Sequence, residues 1–354
     1  MPISEIDYTN NKIDRIVPTD AIIGNPPYQV TTEYTSDRPV YNLFMDIAFK
    51  LSQRVTLITP ARYLFNAGKT PKEWNEKILH DKHFKVVWYK ADSTDVFPSV
   101  DIKGGVAVMF RNTNDIYEEI NHYTAFPELN SIYKKVVSNN EDFSPLSDII
   151  YPQSKFDLNI LFDKHPNIKQ YIGSGGQEKR LTTSIFSLTD VFFDKPQENS
   201  LKILGLVKGN RDYRWIKPDF IEAHPCLHKY KILVPKSNGT GAIGEVLSTP
   251  LIGEPLIGVT QSFIQIGAFD NLQEATFALK YIKSRFARCL LGILKVTQDN
   301  SKDTWAFVPL QDFTDSSDID WGKSIKEIDR QLYRKYGLDD EEIGFIEKMI
   351  KPME

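Results

Sequence analysis

Asn25-Pro26-Pro27-Tyr28 follows the short apolar run Ala21-Ile22-Ile23 and a glycine, Gly24. The run reads as a buried strand, and Gly24 permits a turn or a close approach. Two consecutive prolines remove two N–H donors and fix two φ angles, and Asn25, just before a proline, is biased to extended backbone. Such a loop holds its carbonyls and one amide side chain in a fixed place. Two neutral acceptors held this way suit one task in particular. An exocyclic amine on a nucleobase is a poor nucleophile, because its lone pair is delocalised into the ring. Accepting hydrogen bonds from both of its N–H groups draws the nitrogen toward a tetrahedral shape. The Asn25 side-chain oxygen and the Pro26 carbonyl are the candidate acceptors, and Tyr28 offers a ring to stack on the base. A base reached this way has left the duplex. A bare Asn-Pro-Pro-Tyr is also an ordinary turn sequence, so the surrounding elements decide between the two.

Those elements alternate. Tyr41, Phe44, Ile47, Ala48 and Leu51 fall at helical spacing, giving one apolar stripe toward a sheet. Residues 54–60 read as a second strand. A helix follows over Thr70–Asp81, with Thr70 as N-cap, Pro71 at its first position and Glu73 completing a capping box. "HFKVVWYK" is a third strand, and residues 104–111 are a fourth, reached through a loop. The order predicts an α/β domain with a mostly parallel sheet.

Asn-Pro-Pro-Tyr after an apolar strand resembles the catalytic motif of adenine-N6 DNA methyltransferases. The resemblance extends over roughly residues 16–112: "YNLFMDIAFKL", "VTLITPARYLF" and "VFPSVDIKGGVAVMF" are similar to later segments of that family. It implies that Asn25, Pro26, Pro27 and Tyr28 are catalytic, and that Phe97, of the Phe97-Pro98 pair, presents a second ring to the flipped adenine. It implies double-stranded DNA as partner and S-adenosyl-L-methionine as cofactor. The family binds that donor on a preceding half-sheet with a Gly-rich loop, and only 24 residues precede Asn25. The main donor-binding half is therefore expected to be absent from this chain, supplied by a separate or missing N-terminal donor-binding or nuclease part. Without that neighbour the Ala21–Ile23 strand is expected to pair with residues 1–17 or with a second chain.

Past residue 115 the texture changes. "ELNSIYKKVVSN" reads as a linking helix. Short strand-like runs follow, "SIFSLTDVFF", "YKILVP", "IGVTQSFIQIG" and "DTWAFVPLQDF", interrupted by one long helix over "NLQEATFALKYIKSRFARCLLGIL". The tail is helical from Trp321, stops at Gly337, and restarts with Asp339 and Glu342 as a capping box. This part resembles, more weakly, the target-recognition domain of restriction–modification enzymes. The expected fold class is thus an α/β half-sheet of a Rossmann-like methyltransferase followed by a mixed α+β target-recognition domain. The expected segments are 1–125 (catalytic), 126–320 (recognition) and 321–354 (C-terminal helices).

The net charge of the 354 residues is −4, so any nucleic-acid contact must be local. Lys202–Lys236 holds eight Lys/Arg against three acids, and Lys280–Lys302 holds six against one. Lys208, Arg211, Arg214, Lys236, Lys283 and Arg288 are the candidate DNA contacts. A solvated face accounts for a single basic stretch equally well. "GTGAIG" (Gly239, Gly241, Gly244) matches a phosphate-binding glycine pattern, but the "EVLSTPLIGEP" after it is no helix, so it reads as a loop near the DNA backbone. His224, Cys226 and His228 lack the further Cys or His of a tetrahedral metal site, so no metal is expected. Asp95, Asp101 and Lys103 faintly fit a nuclease pattern but lie in the methyltransferase-like segment. Two cysteines, no apolar leader and no membrane-length run point to a cytoplasmic setting without membrane contact.

Two functions follow. The first is sequence-specific DNA adenine-N6 methylation in a restriction–modification system, with this chain supplying the catalytic loop and DNA recognition. The second is a DNA-binding specificity module without catalytic activity of its own.

Overall fold

A computed structural model describes residues 19–30, 38–66, 69–98, 102 and 104–354. The chain forms two compact units, Met1–Asn130 and Ser131–Glu354.

The first unit is built on β1 (Ile22–Gly24), a two-strand hairpin β2 (Gln29–Val30) and β3 (Arg38–Pro39), α1 (Tyr41–Leu51), β4 (Arg54–Pro60), α2 (Lys72–Leu79), β5 (Phe84–Lys90) and β6 (Val106–Asn112). Its sheet has the order β1-β4-β6-β5. β1 pairs parallel to β4, while β6 runs antiparallel to both β4 and β5. Three strands thus share one direction, and β6 is wedged between two of them. The period-2 pattern of β4 places Val55 and Leu57 in the core. The α1 stripe lies one step from the expected one: Tyr41, Met45 and Ala48 are buried, while Phe44 and Ile47 are half-buried. Tyr63, fully buried, carries the aromatic centre, with ring contacts to Tyr41, Trp74 and Phe84.

The predicted capping box at Thr70 does not form. The α2 N-cap is Pro71, with no side-chain cap bond, and the Thr70 hydroxyl instead donates to Asn75 Oδ1 (2.7 Å). The free edge of β1 has no partner among the described residues. Residues 1–17, expected to cover it, lie outside them.

The second unit begins within α3 (Pro127–Tyr133), which continues as a π-helical turn over Lys134–Ser138. It adds β7 (Ile150–Tyr151), α4 (Leu158–Lys164), a single turn α5 (Gly173–Gly176), β8 (Leu201–Val207), β9 (Asn210–Ile216), β10 (Tyr230–Pro235), β11 (Leu251–Gly253), β12 (Ile257–Val259), β13 (Phe263–Phe269), α6 (Leu272–Lys283), α7 (Arg285–Leu294), α8 (Ile325–Lys335) and α9 (Asp340–Met349). One sheet has the order β11-β10-β13-β7 and another β12-β8-β9.

Four sequence expectations change here. "SIFSLTDVFF" is a 3-10 turn and loop that bridges a strand at Phe193–Trp215 and packs its apolar side chains with Leu201, Ile203 and Ile216 of β8 and β9. "DTWAFVPLQDF" starts as a 3-10 turn around buried Trp305. The long helix breaks at Ser284, whose extended backbone (ψ 150°) ends α6 and whose hydroxyl caps α7 through Ala287 N. The tail helix starts at Ile325, not Trp321. Ser324 and Glu327 form its capping box, and Trp321 is buried against Tyr281 and Phe313. The Asp339–Glu342 capping box forms as read, and Gly337, at φ 61°, ends α8.

Candidate functional site

The first site starts at the end of β1. Register pairs Ile22 with Val55 and Gly24 with Leu57, which fixes where the strand stops. A Cβ on Gly24 would meet only Leu57, at an ordinary 3.6 Å, so among the described residues no close approach requires this glycine. Asn25 is exposed and Pro26 half-buried. Tyr28 is anchored through its carbonyl, which accepts from Val40 N (3.1 Å), and Gln29–Val30 continue into the hairpin. Among the described residues the buried Tyr28 hydroxyl has no hydrogen-bond partner of good geometry. Burial raises its pKa above the ordinary phenol value, and the neighbouring Asn25 side chain opposes that rise.

Phe97 meets Tyr28 edge-on, with ring centroids 6.4 Å apart and planes at 69°. The segment carrying Phe97 is held at its neck. Buried Ser93 accepts from Ile102 N (2.7 Å), Phe97 N donates to Ser93 O (2.8 Å), and Gly105 O accepts from Ala61 N (3.0 Å). Gly105 has φ 78°, and a Cβ there would lie 2.2 Å from Lys90 O. This is a position only glycine fits. Ser93 and Gly105 belong to no motif in the sequence. The adjacent pair Gly104-Gly105 was the available signal.

The six basic candidates of the second unit separate into two groups. Arg288 is buried, and its guanidinium donates to the carbonyls of Lys283, Glu245 and Lys351. Burial pushes its pKa down to about 10. It staples three segments and is not a DNA contact. Arg214 is held by Asp194 (2.8 Å) and Asp212 (2.6 Å) with its side chain 19% exposed, so its charge is already matched. Lys283 donates to Glu354 O (2.6 Å). Lys208, Arg211 and Lys236 remain exposed. Lys208 and Gly209, both at positive φ, make the two-residue turn between β8 and β9. Arg211 and Lys236 line a cleft of about 490 Å³ together with Gln261, Phe263, Gln298 and Asp299. Nothing in the sequence pattern singled out these last four, because the cleft joins segments distant along the chain.

Residues 10–97 match the Eco57I restriction-modification methylase family. Asn25–Tyr28 and Phe97 all fall within the matched residues. An uncharacterized adenine-specific methylase of Mycoplasma pneumoniae is 31% identical over 100 residues, covering 27% of this chain and 24% of that protein. Among solved structures, the type IIG restriction endonuclease BpuSI aligns with a TM-score of 0.36 and 11% identity, over 89% of this chain and 48% of its own. The type IIL restriction-modification enzyme MmeI, in complex with DNA, aligns with a TM-score of 0.34 and 9% identity, over 93% and 56%. The chain spans about a quarter of the length of the methylase and about half that of each solved enzyme.

Methylases of this kind use S-adenosylmethionine, so the described residues can be tested for a set that fits it. The Gly239–Gly244 loop does not fit. Its amide donors are already engaged: Thr240 N and Gly241 N donate to the Glu245 carboxylate, as does the Thr240 hydroxyl. A Cβ on Gly241 would strike Thr297 N at 2.3 Å, and one on Gly244 would strike Met349 O. Gly241 and Gly244 serve close packing against the chain itself.

At "HPCLH", His224 Nδ1 lies 3.0 Å from Cys226 Sγ. The Lys231 ammonium donates to the carbonyls of Cys226, Leu227 and Lys229. Of the nuclease-like residues, Asp95 pairs with Lys90 (2.7 Å), and Asp101 and Lys103 lie outside the described residues.

Proposed function

We propose that this chain grips the target base in sequence-specific DNA adenine-N6 methylation within a restriction–modification system. The observation that carries the reading is the Tyr28–Phe97 ring pair beside the exposed Asn25, at the end of a strand in parallel pairing. The family match over the same residues supports it. The chain's own steps are these. Tyr28 and Phe97 hold a flipped adenine by its faces and edge. Asn25 Oδ1 and Pro26 O accept from its two amino hydrogens, localising the nitrogen lone pair. Pro26 and Pro27 keep both acceptors fixed, so no reorganisation is needed as charge develops. The amino proton leaves to water, because the methylated nitrogen is strongly acidic. Lys208, Arg211 and Lys236 contact the DNA from the second unit.

One observation favours the second reading, a specificity module that binds DNA and performs no chemistry alone: the glycine loop is closed by Glu245. Calorimetric titration of the purified chain with S-adenosylmethionine separates the two. Micromolar binding sinks the module reading. The main reading is tested in the source organism by deleting the gene and mapping N6-methyladenine across the chromosome. One methylated sequence motif should disappear. A methylation map unchanged by the deletion would overturn it.

A further inference from the structure

The cleft of the second unit carries a chemistry that phosphate contact does not explain. A phosphate offers only acceptors, so a surface made to hold one needs only donors. This cleft sets a carboxylate, Asp299, and two amides, Gln261 and Gln298, beside the cations Arg211 and Lys236. An exposed carboxylate repels a phosphate. Donors and acceptors side by side over an apolar floor, here Phe263, match the edge of a base pair instead.

The groups are available and fixed at their bases. The Arg211 guanidinium makes one long contact, to Ser248 O at 3.3 Å, and lies 5.8 Å from the Phe263 ring centroid. Its strand is set by full register with β8, where Arg211 pairs with Leu206. Asp299 pairs with Lys236 at 4.0 Å with both side chains about half exposed, a pair that costs little to exchange for another partner. The Asp299 backbone is bridged to Ser237, and Asn300 N donates to Lys236 O (2.7 Å). Both reading groups therefore stand on held backbone, as a specificity site requires.

We propose that this cleft reads one G·C base pair through the major groove, with Arg211 donating to guanine O6 and N7 and Asp299 accepting from the cytosine amino group. Of the base pairs, G·C places two adjacent acceptors beside one donor, which is the complement of a guanidinium beside a carboxylate. Lys236 is released to a flanking phosphate when Asp299 changes partner. The inference rests on the DNA-recognition reading above.

The test is selection of duplexes from a randomised library by the full chain, followed by sequencing. Wild type is compared with Arg211→Ala, Asp299→Ala and Lys208→Ala, each checked for unchanged thermal melting. The wild-type motif should contain a G·C pair at which Arg211→Ala and Asp299→Ala each lose at least about tenfold preference, at the same position. Lys208→Ala should weaken binding and keep every preference. A motif unchanged in Arg211→Ala, or the two variants relaxing different positions, overturns the assignment and leaves the DNA-binding reading intact. A wild-type chain that selects no motif overturns both.

Discussion

Tyr28 and Phe97, 69 residues apart in sequence, meet edge to face with centroids 6.4 Å apart. Two loops that leave different strands are brought to one point by the sheet. In the proposed role, a flat ring held by the pair meets one aromatic face and one aromatic edge. Phe97→Ala should therefore cut methylation by about tenfold to a hundredfold, the loss expected for one stacking contact worth about 1–3 kcal/mol. Single-turnover methylation at saturating DNA measures it. A rate within twofold of wild type would remove Phe97 from the site.

Among the described residues the buried Tyr28 hydroxyl has no well-formed partner, and a buried unpaired polar group costs about 1–3 kcal/mol. Tyr28→Phe keeps the ring and deletes that cost. Urea denaturation should show the variant as stable as wild type or more stable by about 1 kcal/mol. Destabilisation by more than that amount would show that the hydroxyl has a partner that matters.

Gly105→Ala acts on the neck of the Phe97 segment. A Cβ there would lie 2.2 Å from Lys90 O, at φ 78°. The variant should lose about 2–4 kcal/mol of unfolding free energy, combining overpacking with a left-handed backbone position. A loss under about 0.5 kcal/mol would mean the neck is not tight.

The local signals in the sequence proved easier to read than the distributed ones. Asp339 and Glu342 are three residues apart, and the capping box they imply forms because nothing distant competes for them. Thr70 carries the same signal, but buried Asn75 takes its hydroxyl, and α2 starts without a side-chain cap. Charge along the chain identified Arg214 and Arg288 as readily as Arg211, since linear charge density carries no information on burial. The fold buries Arg288 among three carbonyls and leaves Arg211 at a cleft. Asp299 and Gln298 have no motif at all, and only the tertiary arrangement assigns them to the same cleft as Arg211.

Lys208 should contribute to DNA affinity in a salt-dependent way, while Arg214 should not. Removing one phosphate contact lowers the slope of log K against log salt by about one. Lys208→Ala should show that change, and Arg214→Ala, whose charge is already matched by Asp194 and Asp212, should leave the slope unaltered. An unchanged slope in Lys208→Ala would remove it from the interface.

Asp329 gives a pH dependence with a definite sign. Burial raises its pKa to about 6, against the pull of Phe286 N, Arg285 N, Arg288 and Arg285. It accepts from Arg285 N and Phe286 N at the start of α7. A carboxyl whose folded pKa lies above its unfolded value of 3.8 stabilises most when protonated, and that contribution fades as pH rises through about 6. Relative to Asp329→Asn, wild type should gain about 2–3 kcal/mol as pH falls from 8 to 4. Chemical denaturation of both proteins across that range measures the gap. A gap that is constant with pH, or that grows toward alkaline pH, would contradict the assignment.

The central claim is that Asn25 grips the amine to be methylated. The most direct measurement introduces Asn25→Ala at the native locus, maps N6-methyladenine across the chromosome, and measures DNA binding by the purified variant. The account predicts methylation of the motif reduced by at least about a hundredfold, the usual cost of removing one preorganised hydrogen-bonding group, with DNA binding kept within a few-fold. Methylation near the wild-type level in Asn25→Ala cells would contradict it.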